Sequence, residues 1–167
     1  MTAKYNSQAG EVAGASVHRD SIPRQRILVV EDDAVIRQLN TEVLTCSGYQ
    51  VDAAEDGAAA WDALQRNNYD LVVTDNDMPK VTGVELIKKL QDTQMNLPVI
   101  MATGTLPDEE FARYPCLQPA VTLLKPYTFD ELLNAVKAVL RATADALEEI
   151  APPPNWQGQP LTDRFRL

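Results

Sequence analysis

The chain has 167 residues, of which 45% are hydrophobic and 23% are charged. This balance is typical of a globular protein with one buried core, and the length is too short for two domains of ordinary size. No run reaches the roughly 20 apolar residues that cross a bilayer, and the N-terminus lacks the pattern of a secretory signal. We therefore expect a cytoplasmic protein that does not contact the membrane.

The net charge of -9 is concentrated in the middle of the chain. Residues 1–24 and 151–167 each carry a charge of +1, which leaves -11 for residues 25–150. An acidic domain without a basic patch is a poor candidate for binding a nucleic-acid backbone. Cys46 and Cys116 lie far apart and have no second pair with metal-binding spacing, so we interpret both as reduced thiols.

Three segments differ in composition. Residues 1–24 lack an apolar period and are rich in small polar residues, which predicts a flexible leader. Residues 151–167 include three successive prolines and predict a second tail. Residues 25–150 are expected to form the one folded domain. Because only 17 residues follow Ile150, we expect no effector domain after it.

Short apolar runs alternate with segments of helical spacing in this domain, which predicts strands alternating with helices. Helices are marked by apolar residues three or four positions apart, as in Ile36, Leu39 and Val43 or in Val84, Ile87 and Leu90. Thr128 and Glu131 have the spacing of a capping box at the start of the last helix. Strands are predicted at residues 27–30, 51–54, 71–73, 99–101 and 121–124.

The segment between the fourth and fifth strands is rich in proline. Pro107, Pro115 and Pro119 leave only residues 108–113 free for a helix, because proline interrupts a helix interior. The sequence therefore predicts a short fourth helix.

Five strands with intervening helices form a doubly wound α/β sheet, and the functional crevice of such sheets lies beyond the carboxyl ends of the strands. Several acidic residues follow the predicted strands and would meet in this crevice. They would repel one another unless a cation lay among them, and an all-oxygen site suits Mg²⁺. Asp33 is better explained as a helix cap. The polar residues that follow the predicted strands are Glu31, Asp32, Asp33, Asp75, Asp77, Thr103 and Lys125.

Four segments together resemble the signatures of the response-regulator receiver family. They are ILVVEDD at 27–33, YDLVVTDNDMP at 69–79, LPVIMATGT at 97–105 and LLKPY at 123–127. One such motif is weak evidence, but four in order and in register are specific. The resemblance implies a flavodoxin-like parallel sheet of order 2-1-3-4-5 in a CheY-like, stand-alone receiver.

The resemblance also implies a role for each matching residue. Asp75 would be phosphorylated by a sensor histidine kinase or a histidine phosphotransfer protein, and a protein contact downstream would respond. Lys125 and Thr103 would bind the phosphoryl oxygens. A cis peptide bond is implied between Lys125 and Pro126. The Mg²⁺ ligands would be the carboxylates of Asp32 and Asp75, the backbone carbonyl of Asp77, and Glu31 through a water molecule.

One position departs from the family pattern. Thr122 stands where the family usually has an aromatic residue whose rotamer reports activation, so we expect no aromatic switch of the usual form, and we do not assign one to Tyr127.

Two alternatives remain open. Asp75 and Asp77 also form the Asp-x-Asp of magnesium-dependent phosphatases of the haloacid dehalogenase type, although the nucleophile of those enzymes follows the first strand. A pseudo-receiver that only binds proteins is the other alternative, and it would have lost site residues that this chain retains. The preferred interpretation is a phosphoacceptor signalling protein that is not an enzyme with turnover.

Overall fold

The computed structural model describes residues 24–150, so the predicted tail and all of the predicted leader except Arg24 lie outside the described residues. The strands are β1 (Arg26–Val30), β2 (Gln50–Ala54), β3 (Leu71–Asp75), β4 (Val99–Thr103) and β5 (Val121–Leu124). The helices are α1 (Ala34–Cys46), α2 (Gly57–Arg66), α3 (Gly83–Asp92), α4 (Asp108–Arg113) and α5 (Phe129–Ile150), with a 3₁₀ turn at Pro115–Leu117.

All five strands are parallel and lie in the order β2-β1-β3-β4-β5. This order confirms the predicted fold class. In the register of the sheet, Val30 lies opposite Ala54 and Thr74, Asp75 opposite Ala102, and Thr103 opposite Leu124. The carboxyl ends of the strands therefore meet at one edge, where the polar residues that follow them are brought together.

Alternation along the strands divides the core between the two faces of the sheet. One face packs side chains such as Leu28 and Val72 against α2 and α3. The other packs side chains such as Ile27 and Ile100 against α5 and Leu44 of α1. Every residue of β3 and β4 is buried, as expected for central parallel strands covered on both sides. The central strands thus form a rigid base for the loops at the carboxyl edge.

Side chains cap the helices that begin at this edge. The Asp33 carboxylate accepts hydrogen bonds from the backbone N–H groups of Val35 and Ile36, which confirms its predicted role as the cap of α1. At α5, the N–H of Thr128 donates to the Glu131 carboxylate and the N–H of Glu131 donates to the Thr128 hydroxyl. These bonds confirm the predicted capping box.

The fourth helix is short, as the proline spacing predicted. It spans six residues and has no side-chain cap at its N-terminus. α5 is the longest helix with 22 residues, and its exposed face carries charges. Within residues 24–150, no helix combines the length and the apolar character needed to cross a bilayer.

Some large apolar side chains on the helices are not in the core, and one of them, Leu39, marked the first predicted helix. Leu39 is 42% exposed and Phe129 is 46% exposed. Cys46 is exposed and free, in agreement with a reduced thiol, and the side chain of Cys116 lies outside the described part.

Two leucines of α5 test the core assignment because they differ only in burial. Leu132 is fully buried and Leu147 is 65% exposed. We predict that Leu132→Ala lowers the free energy of unfolding by about 2–5 kcal/mol, since it removes buried methyl groups and leaves a cavity. Leu147→Ala should change it by less than about 0.5 kcal/mol. Urea unfolding followed by circular dichroism measures both, and equal losses would contradict the assigned core.

Candidate functional site

The site lies at the carboxyl edge of the three central strands and β5. Glu31 and Asp32 follow β1, and Asp75 is the last residue of β3. Thr103 is the last residue of β4, and Lys125 follows β5 directly. The backbone N–H of Lys125 donates to the Thr103 carbonyl oxygen at 2.9 Å, so the backbone of the lysine is hydrogen-bonded to the neighbouring strand β4.

Three carboxylates converge at this edge. Glu31, Asp32 and Asp75 each present one oxygen within 4.8 Å of the other two. Glu31 and Asp75 are buried, with 3% and 6% of their surface exposed, whereas Asp32 is exposed. Buried carboxylates at this distance repel one another strongly, because the protein interior screens charge poorly. The arrangement therefore requires positive charge nearby.

Lys125 supplies part of that charge. Its Nζ donates to Asp75 Oδ2 at 2.6 Å and to Glu31 Oε2 at 2.8 Å. Burial raises the pKa of Glu31, and the bond from Lys125 offsets only part of that increase. Burial alone would lower the pKa of Lys125, but its bonds to the two carboxylates outweigh the burial and raise it. The ammonium is therefore held in its charged form.

The second oxygen of Asp75 is also occupied. Asp75 Oδ1 accepts hydrogen bonds from the backbone N–H of Asn76 at 2.6 Å and from that of Asp77 at 3.3 Å. The backbone of α3 also approaches closely, since a Cβ at Gly83 would clash with the Asp75 carbonyl oxygen. The carboxylate of Asp75 is thus oriented from both sides.

Thr103 lies beside this cluster without a hydrogen bond to it. Its hydroxyl donates to the Thr105 carbonyl oxygen at 2.9 Å and accepts from the Thr105 N–H at 3.3 Å. The residue is fully buried. The hydroxyl is therefore bonded within the loop that begins at its own strand.

Asp77 is the predicted site residue whose side chain lies outside the carboxylate cluster. It is exposed, and its carboxylate accepts only a long 3.4 Å bond from the Asn76 amide among the described residues. The predicted ligand of Asp77 is its backbone carbonyl oxygen, and an exposed side chain is compatible with that role. Metal binding by Asp77 stays a prediction.

The donor set fits a magnesium ion. Three carboxylates face one ammonium, which leaves a deficit of positive charge at the site. All of the clustered ligand atoms are carboxylate oxygens, and Mg²⁺ binds about six oxygens while retaining several waters. The exposed Asp32 leaves one side open to solvent for those waters.

Several residues that shape the site were missed by sequence reasoning. Arg37 donates to the backbone carbonyls of Glu31 and Asp32, and so supports the loop after β1. Asp56 forms an ion pair with Lys80 in the loop after β3. Asp56 comes shortly after β2, so the rule that functional residues follow strands would have found it. Arg37 and Lys80 have no comparable signal, because their partners depend on how the loops fold.

An apolar groove of about 510 Å³ adjoins the site. It lies between α1 and the segment that joins β5 to α5, and the Lys125–Pro126 peptide bond in that segment is cis, as the resemblance implied. At its base, the amide of the buried Asn40 donates to the Tyr127 hydroxyl at 2.9 Å. Its lining residues are Ile36, Leu39, Asn40, Lys125, Pro126, Tyr127 and Phe129.

Comparisons with known proteins identify the family of this chain. The family described as "Response regulator receiver domain" matches residues 27–137. The response regulator MprA of Mycobacterium sp. (strain KMS) is 36% identical over 121 residues, which cover 71% of this chain and 52% of that protein. The chain thus spans about half the length of the curated relatives it matches.

Solved structures show the same fold. The receiver domain of the Francisella response regulator 1452 has a TM-score of 0.66 at 30% identity, covering 72% of this chain and 99% of that one. The response regulator TrrA of Thermotoga maritima, solved in complex with Mg²⁺ and BeF, has a TM-score of 0.60 at 32% identity, covering 69% of this chain and 98% of that one. The family model matches most of the described domain, and these relatives agree with that match. The chain therefore belongs to the response regulator receiver domain family.

Proposed function

We propose that Asp75 accepts a phosphoryl group from a sensor histidine kinase or a histidine phosphotransfer protein. The observation that carries this proposal is the Lys125 ammonium, bonded to Asp75 within a cluster of three carboxylates. Phosphoryl transfer requires positioning and neutralisation of charge more than acid-base chemistry, and these groups supply both.

In the proposed reaction, a carboxylate oxygen of Asp75 attacks the phosphorus atom of the donor. A new O–P bond forms on Asp75, and the bond between phosphorus and the donor's imidazole nitrogen breaks, with the electron pair leaving on that nitrogen. Lys125 then pairs with a phosphoryl oxygen in place of the carboxylate oxygen that it now holds. The product carries more negative charge than the free carboxylate, so the ammonium bonds it more strongly.

Asp32, Asp75, Glu31 and the backbone carbonyl of Asp77 are the proposed ligands of Mg²⁺. When bound, Mg²⁺ would neutralise charge on the carboxylates and on the transferring phosphoryl oxygens. Glu31 is buried beside Lys125, so its contribution through a bound water keeps its bond to the ammonium in place.

Thr103 is the proposed link between phosphorylation and the protein surface. Its hydroxyl now donates to Thr105, so bonding a phosphoryl oxygen would require it to leave that partner. The loop before the short α4 would then change conformation, and a downstream protein would recognise that change. Thr122 is only half-buried on β5, and it supplies no aromatic ring for the usual form of switch.

The two alternatives have less support. In the fold, the acidic pair follows β1 and Asp75 follows β3, whereas a phosphatase of the haloacid dehalogenase type has its nucleophile after the first strand. A pseudo-receiver without phosphorylation does not account for the retained Lys125 and carboxylate cluster. Turnover of a small phosphate ester would favour the phosphatase, and absence of any phosphorylation would favour the pseudo-receiver.

Acetyl phosphate tests the phosphoacceptor directly. Incubated with acetyl phosphate and Mg²⁺, the wild type should gain the mass of a single phosphoryl group, and Asp75→Asn should gain none because the amide is a poor nucleophile. Asp92→Asn, which changes an exposed aspartate at the end of α3, is the matched control and should react like the wild type. Intact-mass spectrometry measures the gain, and equal labelling of Asp75→Asn would refute the assignment.

Two neighbouring aspartates test the metal site. In 100-fold excess over its dissociation constant, Mg²⁺ should stabilise the wild type by about 2.7 kcal/mol, because it binds only the folded state. Asp32→Asn should lose most of this gain. Asp33→Asn should keep it, since Asp33 only caps α1 and asparagine caps a helix equally well. Thermal unfolding with and without Mg²⁺ measures both variants, and an equal response from the two would exclude Asp32 as a ligand.

The role of Lys125 predicts a change in the pH dependence of stability. In metal-free Lys125→Met, Glu31 loses the bond that holds down its pKa, so this pKa rises further above 4.5. When a carboxyl has a higher pKa in the folded than in the unfolded state, the protein loses stability as the pH rises from the unfolded-state pKa to the folded-state pKa. We therefore expect a loss of about 1–3 kcal/mol relative to the wild type at pH 8 and a smaller one at pH 5.

Urea unfolding at the two pH values, in the presence of a chelator, measures this difference. Lys88→Met removes an exposed lysine of α3 and serves as the control, which should show the pH dependence of the wild type. The same loss for Lys125→Met at both pH values would contradict its electrostatic role.

A further inference from the structure

The loop that joins β3 to α3, residues 76–82, contains an unusual backbone conformation at Lys80. The φ angle of Lys80 is 67°, and the N–H of Val81 donates to the Pro79 carbonyl oxygen at 2.8 Å across it. A residue with a Cβ rarely adopts this left-handed conformation, and a three-residue turn of this kind is strained. Such strain persists only where the surrounding structure holds it in place, and it often lies next to functional groups.

An ion pair to another loop holds this turn. Lys80 Nζ lies 2.5 Å from Asp56 Oδ2, and the side chain of Asp56 is only 4% exposed. The other oxygen of Asp56 caps α2 by accepting from the Ala59 N–H at 2.8 Å. A nearly buried carboxylate needs a cation close by, and among the described residues Lys80 is the one that pairs with it. The pair therefore joins the loop after β3 to the start of α2.

Close packing beside the ion pair leaves the loop little room to move. A Cβ at Gly57 would lie 2.5 Å from the Val81 carbonyl oxygen and 2.8 Å from the Val81 side chain. The residue after Lys80 thus rests directly on the first residue of α2, and displacement of Lys80 would carry Val81 with it.

The beginning of the same loop holds Asp75. The N–H groups of Asn76 and Asp77 donate to Asp75 Oδ1, and the side-chain oxygen of Asn76 accepts from the Val84 N–H at the start of α3. The Asn76 carbonyl oxygen also accepts from the N–H groups of Met78 and Gly83. One short, hydrogen-bonded loop therefore connects Lys80 to the carboxylate of Asp75.

We infer that Lys80 is a positioning residue, whose ion pair with Asp56 holds residues 76–82 so that the N–H groups of Asn76 and Asp77 stay bonded to Asp75. The consequence for phosphorylation rests on the proposed function of Asp75. The consequence for the backbone does not, because it concerns hydrogen bonds already present in the protein without metal or phosphate.

The competing explanation is that the pair only stabilises the start of α2. Asp56→Asn separates the two roles, because asparagine still caps the helix but no longer attracts the ammonium. Lys80→Met removes the charge from the other side of the pair, and Lys80→Arg restores a cation. Lys88→Met, which removes an exposed lysine of α3, is the control for general loss of positive charge.

The first measurement is hydrogen exchange of the Asn76 and Asp77 amides by NMR in metal-free protein. Lys80→Met and Asp56→Asn should each speed exchange of these two amides about threefold to fivefold, the effect expected for loss of a partly exposed ion pair. Lys80→Arg should restore slow exchange, and Lys88→Met should leave it unchanged.

The second measurement is the dissociation constant for Mg²⁺ and the rate of labelling by acetyl phosphate at fixed Mg²⁺. Both Lys80→Met and Asp56→Asn should weaken Mg²⁺ binding about threefold and slow labelling by a similar factor, since groups that orient ligands affect metal affinity. A lower melting temperature with unchanged amide exchange and unchanged Mg²⁺ affinity would overturn the inference in favour of a purely structural pair.

These outcomes separate the two proposals. If the wild type acquires no phosphoryl group, the proposed function of Asp75 fails, while amide exchange still decides the role of Lys80. If the wild type is labelled at Asp75 and the Lys80 variants match it in exchange, affinity and rate, the positioning role fails alone.

Discussion

The pair of hydrogen bonds from the Lys125 ammonium to Glu31 and Asp75 is the interaction on which the site depends. Lys125 is 94 positions from Glu31 and 50 positions from Asp75 in the sequence. Its ammonium neutralises part of a buried acidic cluster. Without a cation, two nearly buried carboxylates this close would repel each other strongly. The ammonium therefore stabilises the cluster in the absence of a metal ion, but it leaves the cluster with a net negative charge.

That shortage of positive charge distinguishes the cluster from a structural ion pair. A structural ion pair would be satisfied within the protein, whereas this site retains a net negative charge that attracts a further cation. The supporting contacts come from separate elements. Arg37 orients the loop after β1, Asn76 and Asp77 orient Asp75, and Thr103 remains bonded within the loop after β4. Each loop at the site is therefore held by its own set of hydrogen bonds.

The parts of the fold that were predictable are those with strong local signals. β3 and β4 appear as continuous apolar runs because both of their faces are buried. The short α4 followed from its flanking prolines, and the cap of α5 from Thr128 and Glu131. The exposure of Leu39 was not predictable, because helical spacing shows which residues share a face but not what covers that face.

The type of site could be predicted from the order of residues along the chain. Parallel strands bring their carboxyl ends to one edge, so acidic residues, a threonine and a lysine placed after different strands had to lie near one another. Which groups are in contact became clear only in the folded protein: Lys125 bonds both Asp75 and Glu31, Thr103 bonds its own loop, and Lys80 pairs with Asp56 from a left-handed turn. The physical reason is that strands and helices follow from local periodicity and burial, with the strand order implied by the family resemblance, whereas side-chain pairing across loops depends on backbone angles and distances that no local pattern records.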